Sequence, residues 1–87
     1  MTKRNPLHPG EVLRDPLDEV GWSTQEFADR LGVSRNTVSR LLNGRCGISP
    51  NVALALENIG WSNADFWMRM QASYDLAAAR RTLAAKP

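Results

Sequence analysis

Apolar residues recur three and four positions apart along this chain, and no stretch alternates apolar with polar. Phe27, Ala28 and Leu31 form one such set, Val38, Leu41 and Leu42 a second, and Val52, Leu56 and Ile59 a third. That spacing puts each set on one side of a helix, whereas a half-buried strand needs period two. The punctuation agrees. In Gly21-Trp22-Ser23-Thr24-Gln25-Glu26-Phe27, Ser23 reads as an N-cap and Glu26, three residues on, completes a capping box. Trp22 precedes the cap and can staple onto Phe27, while Gly21 suits the left-handed residue that closes the preceding helix. The arrangement returns at Gly60-Trp61-Ser62-Asn63-Ala64-Asp65-Phe66, with Ser62 in the place of the cap. Ser34 is a weaker start, and Ser49 is followed by Pro50 at a first helical position, where the missing N–H costs nothing. His8-Pro9-Gly10-Glu11 marks a first start. These signals predict five helices, over about 10–20, 24–31, 35–43, 50–59 and 63–84. Pro16 is expected to break or kink the first, with Asp15 re-capping the second piece, and the chain beyond Leu83 to fray.

Eighty-seven residues suffice for one core and no second, so residues 1–87 read as a single all-α domain. Hydrophobic residues at 43% and charged residues at 23% are ordinary for a soluble globular chain. No apolar run approaches the ~18 residues of a membrane helix, and the basic opening Met1 to Pro6 lacks the apolar stretch of a signal peptide. One cysteine and one histidine exclude Cys-rich zinc sites and paired catalytic histidines. Neither a metal, a cofactor nor an enzyme is expected, and a reducing cytoplasm is the expected compartment. Glu11 and Asp15 lie four apart, but near a helix start that favours negative charge in any case. His8 reads as a cap or a surface group. Cys46 is either a redox-sensitive thiol or incidental.

Net charge is only +2, yet the charge is unevenly placed. No acidic residue lies between Asp29 and Glu57, and Arg30, Arg35, Arg40 and Arg45 fall in that gap. The second and third predicted helices, joined by Gly32-Val33-Ser34, match a helix-turn-helix over 24–43. Ala28 is small where the helices must meet, Gly32 can reverse the chain, and Val33 can plug the corner. With Val38, Leu41 and Leu42 inward, the third helix turns Arg35, Asn36, Ser39, Arg40 and Asn43 outward. Arginine can hold guanine, and asparagine adenine, through two bonds in the major groove. Thr24 and Thr37 suit phosphate, the helix N-termini at Thr24-Gln25 and Arg35-Asn36 add backbone donors, and Arg45 can reach the DNA backbone. The pattern by itself also fits a plain helical hairpin with a solvated polar face.

His8-Pro9-Gly10-Glu11-Val12-Leu13, the block from Leu31 to Gly44, and Gly47-Ile48-Ser49-Pro50 resemble the HigA antitoxin family of the Cro/repressor (XRE) helix-turn-helix class. Phe66-Trp67 and Met70-Gln71-Ala72-Ser73-Tyr74-Asp75-Leu76 are similar to that family's last helix, so the likeness covers about residues 8–80. Pro16, and a junction before the last helix that reads one residue short, depart from the pattern. The resemblance implies a lambda-repressor-like five-helix bundle with an extended C-terminal helix. It also implies a homodimer on double-stranded DNA at a palindromic operator, repression of its own operon, and a RelE-type RNA-cleaving toxin as partner. Base reading then falls on Arg35, Asn36, Ser39 and Arg40, and phosphate contact on Thr24, Gln25, Thr37, Asn43 and Arg45. The stripe Phe66, Trp67, Met70 and Tyr74 on a long last helix is the expected dimer or partner surface, beyond what it gives to the core. A stand-alone phage-type or metabolic repressor without a toxin is the alternative on the same residues.

Overall fold

The computed structural model describes residues 7–85, which form five helices and no strand; Met1 to Pro6 and Lys86-Pro87 lie outside them. The first helix, α1 (Pro9–Val20), begins where His8 turns its imidazole back on the chain. The Gly10 N–H donates to His8 Nδ1 at 2.9 Å and the His8 N–H donates to Glu11 Oε1 at 3.3 Å. His8 is thus a cap, but a buried one, its ring edge set against Tyr74 at 4.8 Å between centroids. α1 runs unbroken through Pro16, against expectation. The proline forfeits one backbone bond, but Leu13 and Leu17 on the inner face hold the flanking turns in the core. Asp15 is an exposed residue within the helix rather than a new cap.

Helices α2 (Thr24–Leu31) and α3 (Arg35–Leu42) follow the punctuation closely. Ser23 Oγ accepts from the Glu26 N–H, and Glu26 Oε1 accepts from the Ser23 N–H at 2.8 Å. Gly32 takes φ 72, and the Val33 N–H reaches back to the Ala28 carbonyl at 3.1 Å. Ala28 and Val38 are fully buried where the two helices cross. α4 (Pro50–Asn58) starts from the Ser49 cap, and α3 and α4 each end one residue earlier than expected because Asn43 and Ile59 are C-caps.

The last helix, α5 (Ala64–Ala85), departs most. Its cap is Asn63, whose Oδ1 accepts from the Phe66 N–H at 2.8 Å; Ser62 instead sits in the left-handed region at φ 64. The second device is therefore one residue longer than the first. Packing accounts for the extra residue. The Trp61 ring stacks on Trp22 at 5.7 Å and on Phe27 at 5.1 Å, so it is drawn to α2 and not onto Phe66. The carboxylate of Glu57 accepts from the Ala64 N–H at 2.7 Å and closes the longer turn. α5 stays helical to Ala85, past the point where fraying was expected.

One core gathers residues from all five helices: Leu13 and Leu17; Phe27, Ala28 and Leu31; Val38, Leu41 and Leu42; Val52, Ala53 and Leu56; and Trp67, with Ile48 from the loop. Only Trp67 and Gln71 of α5 are buried, so its second half stands away from the core within an envelope of 45 × 24 × 22 Å.

Candidate nucleic-acid interface

α3 presents its polar side to solvent because its other side is fixed in three places. Val38 and Leu41 are fully buried and Leu42 nearly so. At its start, Ser34 Oγ accepts from the Thr37 N–H at 3.1 Å and meets the Thr37 hydroxyl at 2.9 Å. At its end, the Arg14 guanidinium donates to the Leu42 carbonyl at 2.7 Å and to Asn43 Oδ1 at 3.2 Å. Arg35, Asn36 and Arg40 are exposed on the outward side with Ser39 half-buried between them. Those four lie within two turns of one helix, as their spacing required, with three long or forked donors and no acid.

The residues expected at phosphate divide. Thr24 is the half-buried first residue of α2, and Arg45 is exposed in the loop after Gly44. Gln25 donates its amide to Asp29 Oδ1 at 2.9 Å, and Thr37 Oγ1 is engaged with Ser34. Asn43 is exposed, with its oxygen turned to Arg14. Arg30 does not belong with the basic face: its guanidinium lies over the Trp22 ring at 4.5 Å. Three arginines of the acid-free stretch, not four, are therefore free of the aromatic cluster. The Cys46 sulfur is half-buried against the Thr37 carbonyl at 3.9 Å.

Along α5 the expected partner stripe separates into core and surface. Trp67 is 3% exposed and its indole N–H donates to the Trp61 carbonyl. It belongs to the core and not to a partner surface, because its ring is packed within the buried cluster. Phe66 is 41% exposed, and with Met70, Ser62, Asn63, Arg69 and Ser73 it lines a shallow cleft. Tyr74 is half-buried on His8. Farther along, Leu76 and Leu83 are exposed.

Two side chains that hold this interface had no local signal in the sequence. Arg14 acts on α3 from 28 residues away. Gln71 accepts from the Ile48 N–H at 2.7 Å and donates to Asp75 Oδ1 at 2.9 Å, tying α5 to the loop that follows Arg45. A cap or a staple is readable because its partners are three or four residues apart; these two bonds join separate elements.

A family model described as a helix-turn-helix domain matches residues 10–59. Antitoxin HigA-1 of Vibrio cholerae is 38% identical over 76 residues, which cover 86% of this chain and 71% of that protein. The Pseudomonas aeruginosa antitoxin HigA, solved with the higBA promoter, superposes with a TM-score of 0.83 at 40% identity, over 88% of this chain and 85% of that one. An addiction module antidote protein of the HigA family from Coxiella burnetii gives a TM-score of 0.85 at 31% identity, over 91% and 87% of the two chains. No helix among the described residues is long and apolar enough to cross a membrane.

Proposed function

This chain belongs to the HigA antitoxin family of helix-turn-helix proteins, and from that footing we propose that it binds an operator in double-stranded DNA, represses its own operon, and neutralises a RelE-type RNA-cleaving toxin. The observation that carries the DNA reading is the outward face of α3, where Arg35, Asn36 and Arg40 are exposed on a helix fixed at both ends. An arginine there can grip guanine O6 and N7, and Asn36 can do the same for adenine, so the face reads sequence as well as charge. Thr24, Gln25, Thr37, Asn43 and Arg45 take the phosphates and set the register. Thr37 and Gln25 exchange their internal partners for phosphate oxygens as the DNA arrives. Support comes also from the Pseudomonas relative, a protein of this family solved with promoter DNA.

The protein acts as a two-fold dimer through α5, with Phe66, Met70 and Tyr74 and the exposed Leu76 contributing apolar surface. Its two recognition helices then lie about 34 Å apart and the operator is an imperfect palindrome. The toxin occupies a different surface from α3, since repression and neutralisation use one molecule.

The test is a fluorescence anisotropy titration against DNA from upstream of the reading frame. With about six phosphate contacts per dimer, log K falls against log salt with a slope near −5. A slope near zero would refute the DNA reading. Co-expression with the neighbouring reading frame tests the antitoxin role: the chain should restore growth and co-purify with a small basic protein.

A further inference from the structure

Arg14 lies on α1, outside the helix-turn-helix, and has so far served only to hold the end of α3. Its guanidinium closes the end of α3 by donating to the Leu42 carbonyl at 2.7 Å, and it also donates to Asn43 Oδ1 at 3.2 Å. A guanidinium has five donors and no acceptor, so the group it meets on Asn43 must be the amide oxygen. With its oxygen engaged by Arg14, the exposed Asn43 has its two amide N–H donors left for another acceptor. Free asparagine offers either end of its amide with equal ease. Here one end is used, and the donor end alone is left for an anion.

We propose that Arg14 is a positioning residue for DNA binding: it fixes the Asn43 amide with its N–H groups outward, and so converts Asn43 into a dedicated phosphate donor at the end of the recognition helix. The inference rests on the DNA reading of α3 and adds to it a residue from another helix. Two neighbours fit the assignment. Gly44 follows Asn43 with φ 72, so the chain turns out of the helix directly after Asn43. The Arg45 N–H then donates to the Arg40 carbonyl at 2.8 Å, which sets the next basic side chain one step beyond Asn43. Arg14 serves twice in this way: its bond to Leu42 satisfies a carbonyl that the end of any helix leaves without an intrahelical donor, and its bond to Asn43 selects the polarity of the amide.

The experiment uses the intact protein and the upstream duplex, with affinity read by anisotropy and stability by thermal melting. Asn43→Ala should weaken binding roughly tenfold, the size of one hydrogen bond to a charged acceptor, and Arg14→Ala about twofold, the loss when either end of the amide can face the anion, on specific and random DNA alike. The double variant should lose no more than Asn43→Ala alone, because Arg14 acts through Asn43. Asn43→Asp separates this from simple support of the fold. It keeps the Arg14 contact as an ion pair, so the melting temperature should hold or rise, while DNA affinity falls below that of Asn43→Ala because a carboxylate now faces phosphate. Arg14→Lys should keep the Leu42 bond with one donor and recover only part of the affinity. Wild-type binding with no loss in Asn43→Ala overturns the inference and leaves the DNA reading standing. Losses that multiply in the double variant overturn it too, since Arg14 then works independently of Asn43. Failure of the wild type to bind any DNA sinks the DNA reading first, and the inference with it.

Discussion

Gly10→Ala tests how closely α1 and α3 are packed, because two effects of opposite sign act at that position. Alanine is the better helix former, and an exposed helical glycine replaced by alanine gains up to about 1 kcal/mol. Gly10, however, is buried, and a Cβ added there would land on the Leu41 carbonyl oxygen, with the Leu41 carbonyl carbon at 2.9 Å and His8 Nδ1 at 3.1 Å. The obstruction is backbone, so no rotamer change relieves it. α1 would have to retreat from α3 by about an ångström, and the interior resists this because Leu13 is fully buried one turn on. Overpacking of a tight contact costs about 1–3 kcal/mol, and a backbone obstruction belongs at the upper end. Set against the propensity gain, the net loss is about 2 kcal/mol. For a chain this small each kcal/mol moves Tm by about 4–8 °C, so melting followed by circular dichroism should fall by about 8–16 °C. An unchanged or raised Tm would show that propensity wins, that α1 and α3 are not in this contact, and that the His-Pro-Gly start owes its glycine to something else.

Other variants separate roles that the sequence places side by side. Arg40→Ala should relax preference at one base pair per half-site at a cost of about 1–3 kcal/mol in operator binding and, on the proposed antitoxin role, still restore growth on co-expression with the neighbouring reading frame; retained operator preference would mean that α3 is misplaced in the groove. Arg30→Ala should leave DNA affinity within about twofold and cost only about 0.5–1 kcal/mol of stability, the worth of an exposed cation–π contact, because Arg30 lies over Trp22; a loss in anisotropy as large as that of Arg40→Ala would contradict this. Trp67→Ala should cost about 3–5 kcal/mol in a denaturant titration, as the loss of a large core side chain, whereas Phe66→Ala should leave the fold intact and shift self-association in light scattering. Gln71→Leu leaves the buried Ile48 N–H without its acceptor and should cost about 1–3 kcal/mol, again read by denaturant.

The legible parts of this fold were those whose causes are local. Ser23 and Glu26 find each other within one turn, and the apolar residues of α2 and α3 declare their inner face by spacing alone. The outward set Arg35, Asn36, Ser39 and Arg40 followed from that inner face by subtraction. Pro16 misled because the rule for proline weighs one lost backbone bond, while the packing of Leu13 and Leu17 on either side decides the outcome. The start of α5 misled for a related reason. Gly60-Trp61-Ser62 copies the letters of Gly21-Trp22-Ser23, yet Trp61 is claimed by Trp22 and Phe27, and the chain spends one more residue before Asn63 can cap the helix.

The same distinction governs the interface. The side chains that face solvent on α3 could be chosen from the sequence, but the bonds that hold α3 in place arise from other helices. Arg14 reaches its end from α1, and Gln71 steadies the loop beyond it from α5. A Cβ on Gly47 would meet the Gln71 amide at 2.6 to 2.8 Å, so that glycine makes room for a side chain from a helix that starts well after it. Neither pairing has a period, a cap or a motif to announce it, because each is a condition set by the assembled bundle. The proposed reading face and its support are therefore separable by mutation. Changing Arg40 should alter which sequence is preferred while the helix stays where it is, and changing Gln71 should loosen the loop carrying Arg45 without touching the outward side chains of α3.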